Sequence, residues 1–253
     1  MFTFYCKKLL RCPAVYAGAL LFVLSIYFSV YDTLDALNPT YLYEYSTGLG
    51  VSWFLIPVVT VLPVCFVQRE LSRGSAWQLP LLRTSPARFT LGGLSAACLS
   101  GAAVTTLAFV VFFLSIVVIA GPRLMLDYTL GFFQDKSYLE TTLLELLFLA
   151  LQSMLHPAVS FLVSGYTSNQ YLCAAAPFLL QTLARYGFGA LVYYGGLRFF
   201  VYLDPGHLDP GGNPFVDAGW HVFLLYVLGY VLSVVAVCGL LYRRRLERRL
   251  QNG

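Results

Sequence analysis

The stretch CFVQRELSRGSAWQLPLLRTSPARF, residues 65–89, is a basic and amphipathic insert between two long apolar segments. Its charged residues are Arg69, Glu70, Arg73, Arg83 and Arg88, and its large apolar side chains are Leu71, Trp77, Leu79, Leu81 and Leu82. Apolar runs of roughly 18 residues or more are long enough to cross about 30 Å of hydrocarbon as helices. The pattern predicts two membrane-spanning helices joined by a short amphipathic helix at the membrane surface.

Working outward from this insert, apolar runs of the same kind recur along the whole chain. Of its 253 residues, 58% are hydrophobic and 11% are charged, whereas soluble proteins carry about 25% charged residues. We predict an all-α polytopic membrane protein that forms a single transmembrane domain over residues 1–253. Its six predicted spans lie at about residues 14–31, 49–67, 91–120, 140–163, 172–200 and 220–242.

The distribution of Lys and Arg predicts the orientation of these spans. Six spans place residues 1–13, 68–90, 164–171 and 243–253 on one side, and these segments hold most of the cations. The opposite segments hold only Arg123 and Lys136. Short loops rich in Lys and Arg stay in the cytoplasm. We therefore predict a multi-pass protein of the cell membrane with both termini in the cytoplasm, and we attribute the net charge of +4 to topology instead of nucleic-acid binding.

The sequence carries none of the common enzyme signatures. It contains no GxxxxGK[ST] phosphate-binding loop, no HExxH and no GxSxG. We therefore predict that the chain has no catalytic residues and binds no cofactor of its own. His207, Asp209, Asp217 and His221 fall in one outer segment and could bind a metal, but the abundant turn residues there favour a solvated loop and we predict no metal site.

Glu145, His156 and Arg185 are the ionisable residues that lie well inside predicted spans, where charge is costly. Glu145 and Arg185 fall about 7 and 10 Å from the outer boundary at 1.5 Å per residue, which predicts an ion pair that either joins two helices or lines an outward-facing path. Alternatively, Arg185 extends to the interface beside Tyr193 and Tyr194. For His156 we expect a hydrogen bond to a neighbouring helix, with a proton relay as the alternative.

Small residues and prolines predict how the spans pack. Gly93, Ala97 and Gly101 recur every four residues in the third span, so they share a face where two helix backbones can approach closely. This face serves either packing within the chain or a dimer contact. We expect bends or breaks at Pro57, Pro63, Pro157 and Pro177.

The sequence pattern predicts an interrupted helix between the fifth and sixth predicted spans. The stretch YYGGLRFF, residues 193–200, is apolar but is interrupted by Gly195 and Gly196. Asp-Pro pairs and Gly211-Gly212 follow and favour turns. We predict a re-entrant or broken segment at the membrane edge.

The order of an apolar helix, the stretch FVQRELSRGSAWQLPLLRTSPARF and a helix rich in small residues resembles the membrane subunit of type 2 ABC exporters. That family shows an aromatic residue, then Glu, Gly, Leu-rich residues, Arg and Ser before a second aromatic. The matching residues here are Phe66, Glu70, Gly74, Leu81, Leu82, Arg83, Ser85 and Phe89. The resemblance extends to the broken segment before the last span. The chain departs from the family in its very short amino-terminal segment and in carrying no fused ATPase.

This resemblance implies a permease that works with other subunits. The segment between helices two and three would be a coupling helix that docks on a separate ABC-type ATPase, which binds ATP and Mg²⁺. Its docking residues would be Arg69, Glu70, Arg73, Gly74, Arg83, Ser85 and Arg88. A second permease, identical or homologous, would complete the transport path. Export of a peptide, a drug, a lipid or a glycan is the expected activity.

Two other functions remain open on the sequence. An intramembrane enzyme would need polar residues that converge at one depth, for which Glu145, His156 and Arg185 are the candidates. A membrane sensor or assembly factor would also use a docking loop, but the ATPase activity of its partner would not respond to a transported substrate. The insert could also be only a basic loop that lies on the lipid surface.

Overall fold

The computed structural model describes residues 2–30, 51–73, 84–120, 137–208, 215 and 219–252. Throughout these ranges the regular structure is helical, and no strand is present among them. The α-helices are α1 (Phe2–Leu10), α2 (Pro13–Val30), α3 (Val51–Arg73), α4 (Pro86–Ala120), α5 (Tyr138–Gln152), α6 (Leu155–Ser164), α7 (Gln170–Tyr193) and α8 (Trp220–Asn252). Two short 3-10 helices, Arg198–Leu203 and Pro205–Leu208, lie between α7 and α8.

Within the described residues, three stretches of helix are long and apolar enough to cross a membrane, in agreement with a helical membrane protein, while the count of six spans stays a prediction. They are Pro86–Ser115, Leu139–Ser164 and Trp220–Gln251. A fourth is added if α1 and α2, which meet at a bend of 56°, form one span. The apolar part of α3, Leu55–Val67, is shorter.

Helix α4 lies at the centre of the bundle because its surface is built from small residues. It packs against α1, α2, α3, α5, α6 and α8. A Cβ added at Gly101 would lie 2.5 Å from Cγ of Pro157 and 2.6 Å from the carbonyl oxygen of Ser153. One added at Gly93 would lie 2.8 Å from the ring of Phe161. These glycines allow the α5–α6 segment to approach closer than any side chain would permit.

The fourth predicted span is divided into α5 and α6 at Ser153 and Met154. Because Pro157 has no N–H, it cannot donate to the carbonyl of Ser153 four residues before it. That freed carbonyl lies against Gly101. The same pairing occurs between α2 and α3, where Pro63 frees the carbonyl of Val59 and a Cβ added at Gly18 would lie 2.9 Å from its oxygen.

Not every proline breaks its helix. Helix α3 runs without interruption through Pro57 and Pro63, and α7 runs through Pro177, so a break at these positions is wrong. In α3 the hydroxyl of Thr60 donates to the carbonyl of Ile56 at 2.7 Å, and this bond ties the turn between the two prolines together. The carbonyls that lose their helical donor to these prolines are those of Trp53 and Val59, and in membrane proteins neighbouring helices can satisfy such groups.

At one end of the bundle several helices share a buried core, and the ends of these helices are rich in basic residues. Tyr5 and Leu9 of α1, Phe89 of α4, and Tyr242 of α8 belong to one buried cluster. The rings of Tyr5 and Phe89 meet edge to face at a centroid distance of 5.8 Å. The same helix ends, and the residues that adjoin them, carry Lys7, Lys8, Arg11, Arg88, Arg243, Arg244, Arg245, Arg248 and Arg249. We call this region the basic end.

The observed boundaries differ from the predicted ones around the insert. Residues 68–73 continue α3, and residues 86–90 are the first residues of α4, so these parts do not form a separate short helix. Residues 74–83, which include Gly74 and Arg83, lie outside the described residues. The fifth predicted span, 172–200, ends as an α-helix at Tyr193. Helix α1 was not predicted.

Candidate functional site

A cavity of about 190 Å³ lies between the α5–α6 break, α7, the 3-10 segment and α8. Its walls are mostly apolar, as is typical of small-molecule sites. The apolar lining consists of Leu155, Val159, Pro177, Leu180, Ala184, Pro205, Leu208 and Val234. The polar lining consists of Gln152, His156, Gln181 and Tyr230. We call this the central cavity.

The central cavity contains one polar pair that crosses between helices. Nε2 of His156 on α6 lies 2.9 Å from Oε1 of Gln181 on α7. Because the amide oxygen can only accept, Nε2 carries the proton and donates it. Nδ1 is then a buried acceptor with no hydrogen-bond partner among the residues that the structure describes. The expected bond from His156 to a neighbouring helix is confirmed.

The 3-10 segment forms one wall of the central cavity because the chain turns back after α7. Gly196 adopts a φ of 63°, a backbone conformation that glycine reaches without strain. After this turn the ring of Phe200 stacks on that of Phe188 in α7 at 5.7 Å. The predicted interruption at Gly195 and Gly196 therefore corresponds to a real change of direction.

Three side chains fasten this segment to the neighbouring helices. The hydroxyl of Tyr226 donates to the carbonyl of Tyr202 at 2.8 Å, and that of Tyr230 donates to the carbonyl of Leu203 at 3.1 Å. Nε2 of Gln152 donates to the carbonyl of Leu208. The backbone of an irregular segment at membrane depth needs such partners, and here they come from α8 and α5.

The chemistry that the central cavity supports is binding. An imidazole activates a nucleophile when a third group orients it and the nucleophile lies within hydrogen-bond reach. The partner of His156 is a neutral amide, which neither accepts a proton in transfer nor becomes a nucleophile. The cavity therefore suits an apolar molecule that carries one or two hydrogen-bonding groups.

The predicted docking residues belong to the end of α3, to the start of α4 and to the sequence between these two helices. Arg69, Glu70 and Arg73 occupy the last turns of α3, and their side chains lie outside the described part of the chain. Ser85 and Arg88 are exposed at the start of α4. The backbone N–H of Arg88 is 3.4 Å from Oγ of Ser85, so Ser85 caps a helix whose first residue is Pro86.

The remaining predicted residues are distributed over several helices. Glu145 is buried on α5 with 5% of its surface exposed, whereas Arg185 is exposed on α7. Their ion pair stays a prediction. Gly93, Ala97 and Gly101 lie on the buried face of α4.

Little of the outer segment that was considered for metal binding, and for which no metal site was predicted, falls within the described residues. Asp209, Asp217 and the side chain of His207 lie outside them, and His221 is exposed near the start of α8. Across the described ranges no group of three His, Cys, Asp or Glu side chains could hold a metal ion.

The sequence analysis missed Gln152, Gln181, Tyr226 and Tyr230. A signal for the two glutamines was available, since each is an uncharged polar residue inside a predicted span, and Gln152 precedes His156 by four residues, about one helical turn. The tyrosines carry no such signal, because tyrosine is common near membrane surfaces.

Comparison with known proteins identifies no relative. No protein-family model matches the sequence, and no curated protein or solved structure matches it significantly.

Proposed function

We propose that this chain is the membrane subunit of an ATP-driven exporter of the type 2 ABC class. In this proposal it has six spans with both termini in the cytoplasm, and it acts as a permease without catalytic residues of its own. The observation that carries the proposal is the pattern from Phe66 to Phe89, interpreted together with the helices that bear it. Its two ends lie on α3 and α4 at the basic end of the bundle.

The basic end supports this proposal because helices from the whole chain meet there. Helix α1, the end of α3, the start of α4 and the end of α8 share one buried cluster. Basic segments on one side of a membrane protein favour the cytoplasmic side, where a soluble ATPase is available. Because α3 continues as a helix through Glu70 to Arg73, a displacement of that end would be carried into the bundle as a rigid-body movement.

In this proposal the central cavity, at about 190 Å³, holds part of the substrate. Its apolar walls and its His156–Gln181 pair favour a molecule that is mainly apolar, such as a lipid-like compound, a drug or an apolar peptide segment. The cavity is formed partly by α7 and α8, whose other faces expose large apolar side chains such as Leu183, Leu225 and Leu232. In the proposal these faces contact lipid or a second permease, identical or homologous, and ATP and Mg²⁺ bind to the partner ATPase.

The proposal is tested by purifying the tagged protein gently from its native membrane and identifying the chains that accompany it. We expect an ATP-binding subunit in the wild-type preparation and its loss from a Glu70→Ala, Arg73→Ala double variant. The matched control is Arg243→Ala with Glu247→Ala, which also removes one base and one acid at the basic end. Those two residues form an exposed pair at 2.7 Å within α8, so we expect the ATPase to be retained.

Three outcomes would contradict the proposal. The first is a protein that purifies alone in several mild detergents. The second is a partner ATPase whose activity does not respond to any transported compound, which would favour a sensor or assembly factor. The third is a reaction that the purified chain catalyses without an ATPase and that a folded His156→Ala variant has lost, which would favour an intramembrane enzyme.

A further inference from the structure

A second cavity lies at the basic end, at the joint between α1 and α2. Its volume is about 420 Å³, and ligand pockets commonly measure about 300–1,000 Å³. Its described lining contains no acidic residue. It consists of three cationic side chains and of apolar or small ones, namely Lys7, Lys8, Arg11, Phe4, Cys12, Pro13, Phe66 and Val67. We call it the joint cavity.

The cationic residues of the joint cavity belong to a backbone that is hydrogen-bonded as a helix or as a helical turn. The backbone N–H of Arg11 donates to the carbonyl of Lys7 at 3.2 Å, and that of Cys12 donates to the carbonyl of Leu9 at 3.0 Å, so the chain stays coiled beyond the end of α1. Pro13 then begins α2 at an angle of 56°. On its other face α1 buries Tyr5 and Leu9 in the core of the basic end. The cavity is therefore built between fixed helices.

The cations of the joint cavity favour an anionic ligand. Lys7, Lys8 and Arg11 lie within five residues of one another and all three line the cavity. Like charges beside a low-dielectric wall repel one another more strongly than they would in water. Basic pockets between membrane helices on the cytoplasmic side are typical sites for phosphate-bearing lipid headgroups.

Aromatic side chains next to the cations identify the anion as part of a lipid. Phe2, Phe4 and Phe66 expose 44%, 42% and 46% of their surfaces, and two of the three line the cavity. The ammonium group of Lys8 lies 5.7 Å from the centre of the Phe4 ring. Cations beside outward-facing aromatic rings suit the boundary between headgroups and acyl chains. A free phosphate ion would use the cations and leave the rings in water.

We propose that the joint cavity binds the headgroup of an anionic phospholipid, with Lys7, Lys8 and Arg11 around the phosphate and Phe4 and Phe66 against the acyl chains. The inference requires a membrane protein but does not depend on the exporter function. If no ATPase is found, the lipid site is unaffected.

The test titrates short-chain phosphatidylglycerol or phosphatidylcholine into the detergent-solubilised full-length protein and follows the thermal unfolding midpoint. We expect phosphatidylglycerol to raise the midpoint and phosphatidylcholine to leave it nearly unchanged. In a Lys7→Gln, Lys8→Gln, Arg11→Gln variant, the lipid concentration that gives the half-maximal effect should rise roughly tenfold or more, since each cation near a membrane surface contributes appreciably to anionic-lipid binding.

The matched control is Arg244→Gln, Arg248→Gln, Arg249→Gln, which removes the same charge from exposed positions of α8 outside the cavity. We expect its half-maximal concentration to change less than about twofold, because those side chains do not line the site. Equal changes of the half-maximal lipid concentration in the two triple variants would overturn the proposal, because they would indicate diffuse attraction between the lipid and any basic surface. An equal response of the wild type to phosphatidylcholine would also overturn it.

A third arm uses inorganic phosphate as the probe. A midpoint increase equal to that of phosphatidylglycerol, lost in the same triple variant, would assign the cavity to a free anion and overturn the lipid assignment. If the triple variant is not monodisperse, single Lys7→Gln and Arg248→Gln variants are compared by the same titration. Only a larger increase in the half-maximal lipid concentration for Lys7→Gln than for Arg248→Gln supports the proposal.

Discussion

Helices α4 and α8 are both long and strongly apolar, yet they occupy opposite kinds of position. Their most apolar stretches have mean hydropathies of 2.2 and 2.4, but 56% of that stretch is buried in α4 and only 17% in α8. Lipid tails are as apolar as leucine, so hydropathy alone does not draw a helix into the centre of a membrane protein. Small residues such as Gly93, Ala97 and Gly101 allow neighbouring helices to pack closely around α4.

The largest effect in this comparison is expected from a glycine on each helix. In Gly101→Ala the new Cβ would meet the ring of Pro157 and the backbone of Ser153, neither of which yields easily. We expect a loss of about 1–3 kcal/mol in the free energy of unfolding, measured by denaturant unfolding in mixed micelles. Gly229→Ala on α8 is the control, since no atom lies within 4 Å of its added Cβ. Equal losses for the two variants would refute the contrast.

The next largest effect is expected when one valine on α4 and one valine on α8 are each replaced by alanine. Val104 on α4 is fully buried, whereas Val237 on α8 is 54% exposed. Val104→Ala should leave a cavity and lower the free energy of unfolding by about 1–2 kcal/mol, while Val237→Ala should lower it by less than about 0.5 kcal/mol. Both variants are measured by the same unfolding assay. A larger loss for Val237→Ala would indicate that α8 packs against a partner in the micelle.

The His156–Gln181 pair in the central cavity adds a different kind of contact to this comparison, because it joins α6 and α7 by a hydrogen bond instead of close packing. A double-mutant cycle with His156→Ala and Gln181→Ala should give a coupling energy of about 0.6 kcal/mol, and at most about 1.7 kcal/mol, as measured for hydrogen bonds between membrane helices. Because His156 lines the central cavity, the His156→Ala variant should bind substrate more weakly but still transport it at saturating concentration. A coupling energy of zero would show that the two side chains do not bond in the membrane.

The smallest effect is expected where α8 fastens the 3-10 segment. Tyr226→Phe and Tyr230→Phe each remove one hydroxyl that donates to the backbone of residues 202 and 203. We expect each to cost about 0.5 kcal/mol, the lower end of the net value of one hydrogen bond, and to speed amide hydrogen exchange within residues 198–208. Tyr186→Phe is the control, because this exposed ring lies on α7 away from the segment. Faster exchange in the control alone would contradict the prediction.

The helical membrane class could be predicted from composition, because apolar runs long enough to span a bilayer have few other solutions. The turn at Gly195 and Gly196 was predicted because glycine breaks an apolar helix visibly. The central cavity could not be predicted, since it is formed by α5, α6, α7 and α8 together. The continuity of α3 through Pro57 and Pro63 also could not be predicted, because it involves packing against helices that are distant in the sequence.

Helix α1 was missed for a related physical reason. Its nine residues carry two lysines and resemble a charged tail in the sequence. It is held as a helix by Tyr5 and Leu9, which contact residues far along the chain such as Phe89, Tyr242 and Leu246. Short helices are marginal without such tertiary packing.

The pairing of proline-freed carbonyls with glycines links positions that lie far apart in the chain. If Pro157 were replaced by alanine, the carbonyl of Ser153 would regain a donor in its own helix and would withdraw from Gly101. Position 101 would then accept a larger residue that it now rejects. Positions 157 and 101 are therefore expected to vary as a unit among related sequences, and so are positions 63 and 18, where Val59 and Gly18 repeat the arrangement.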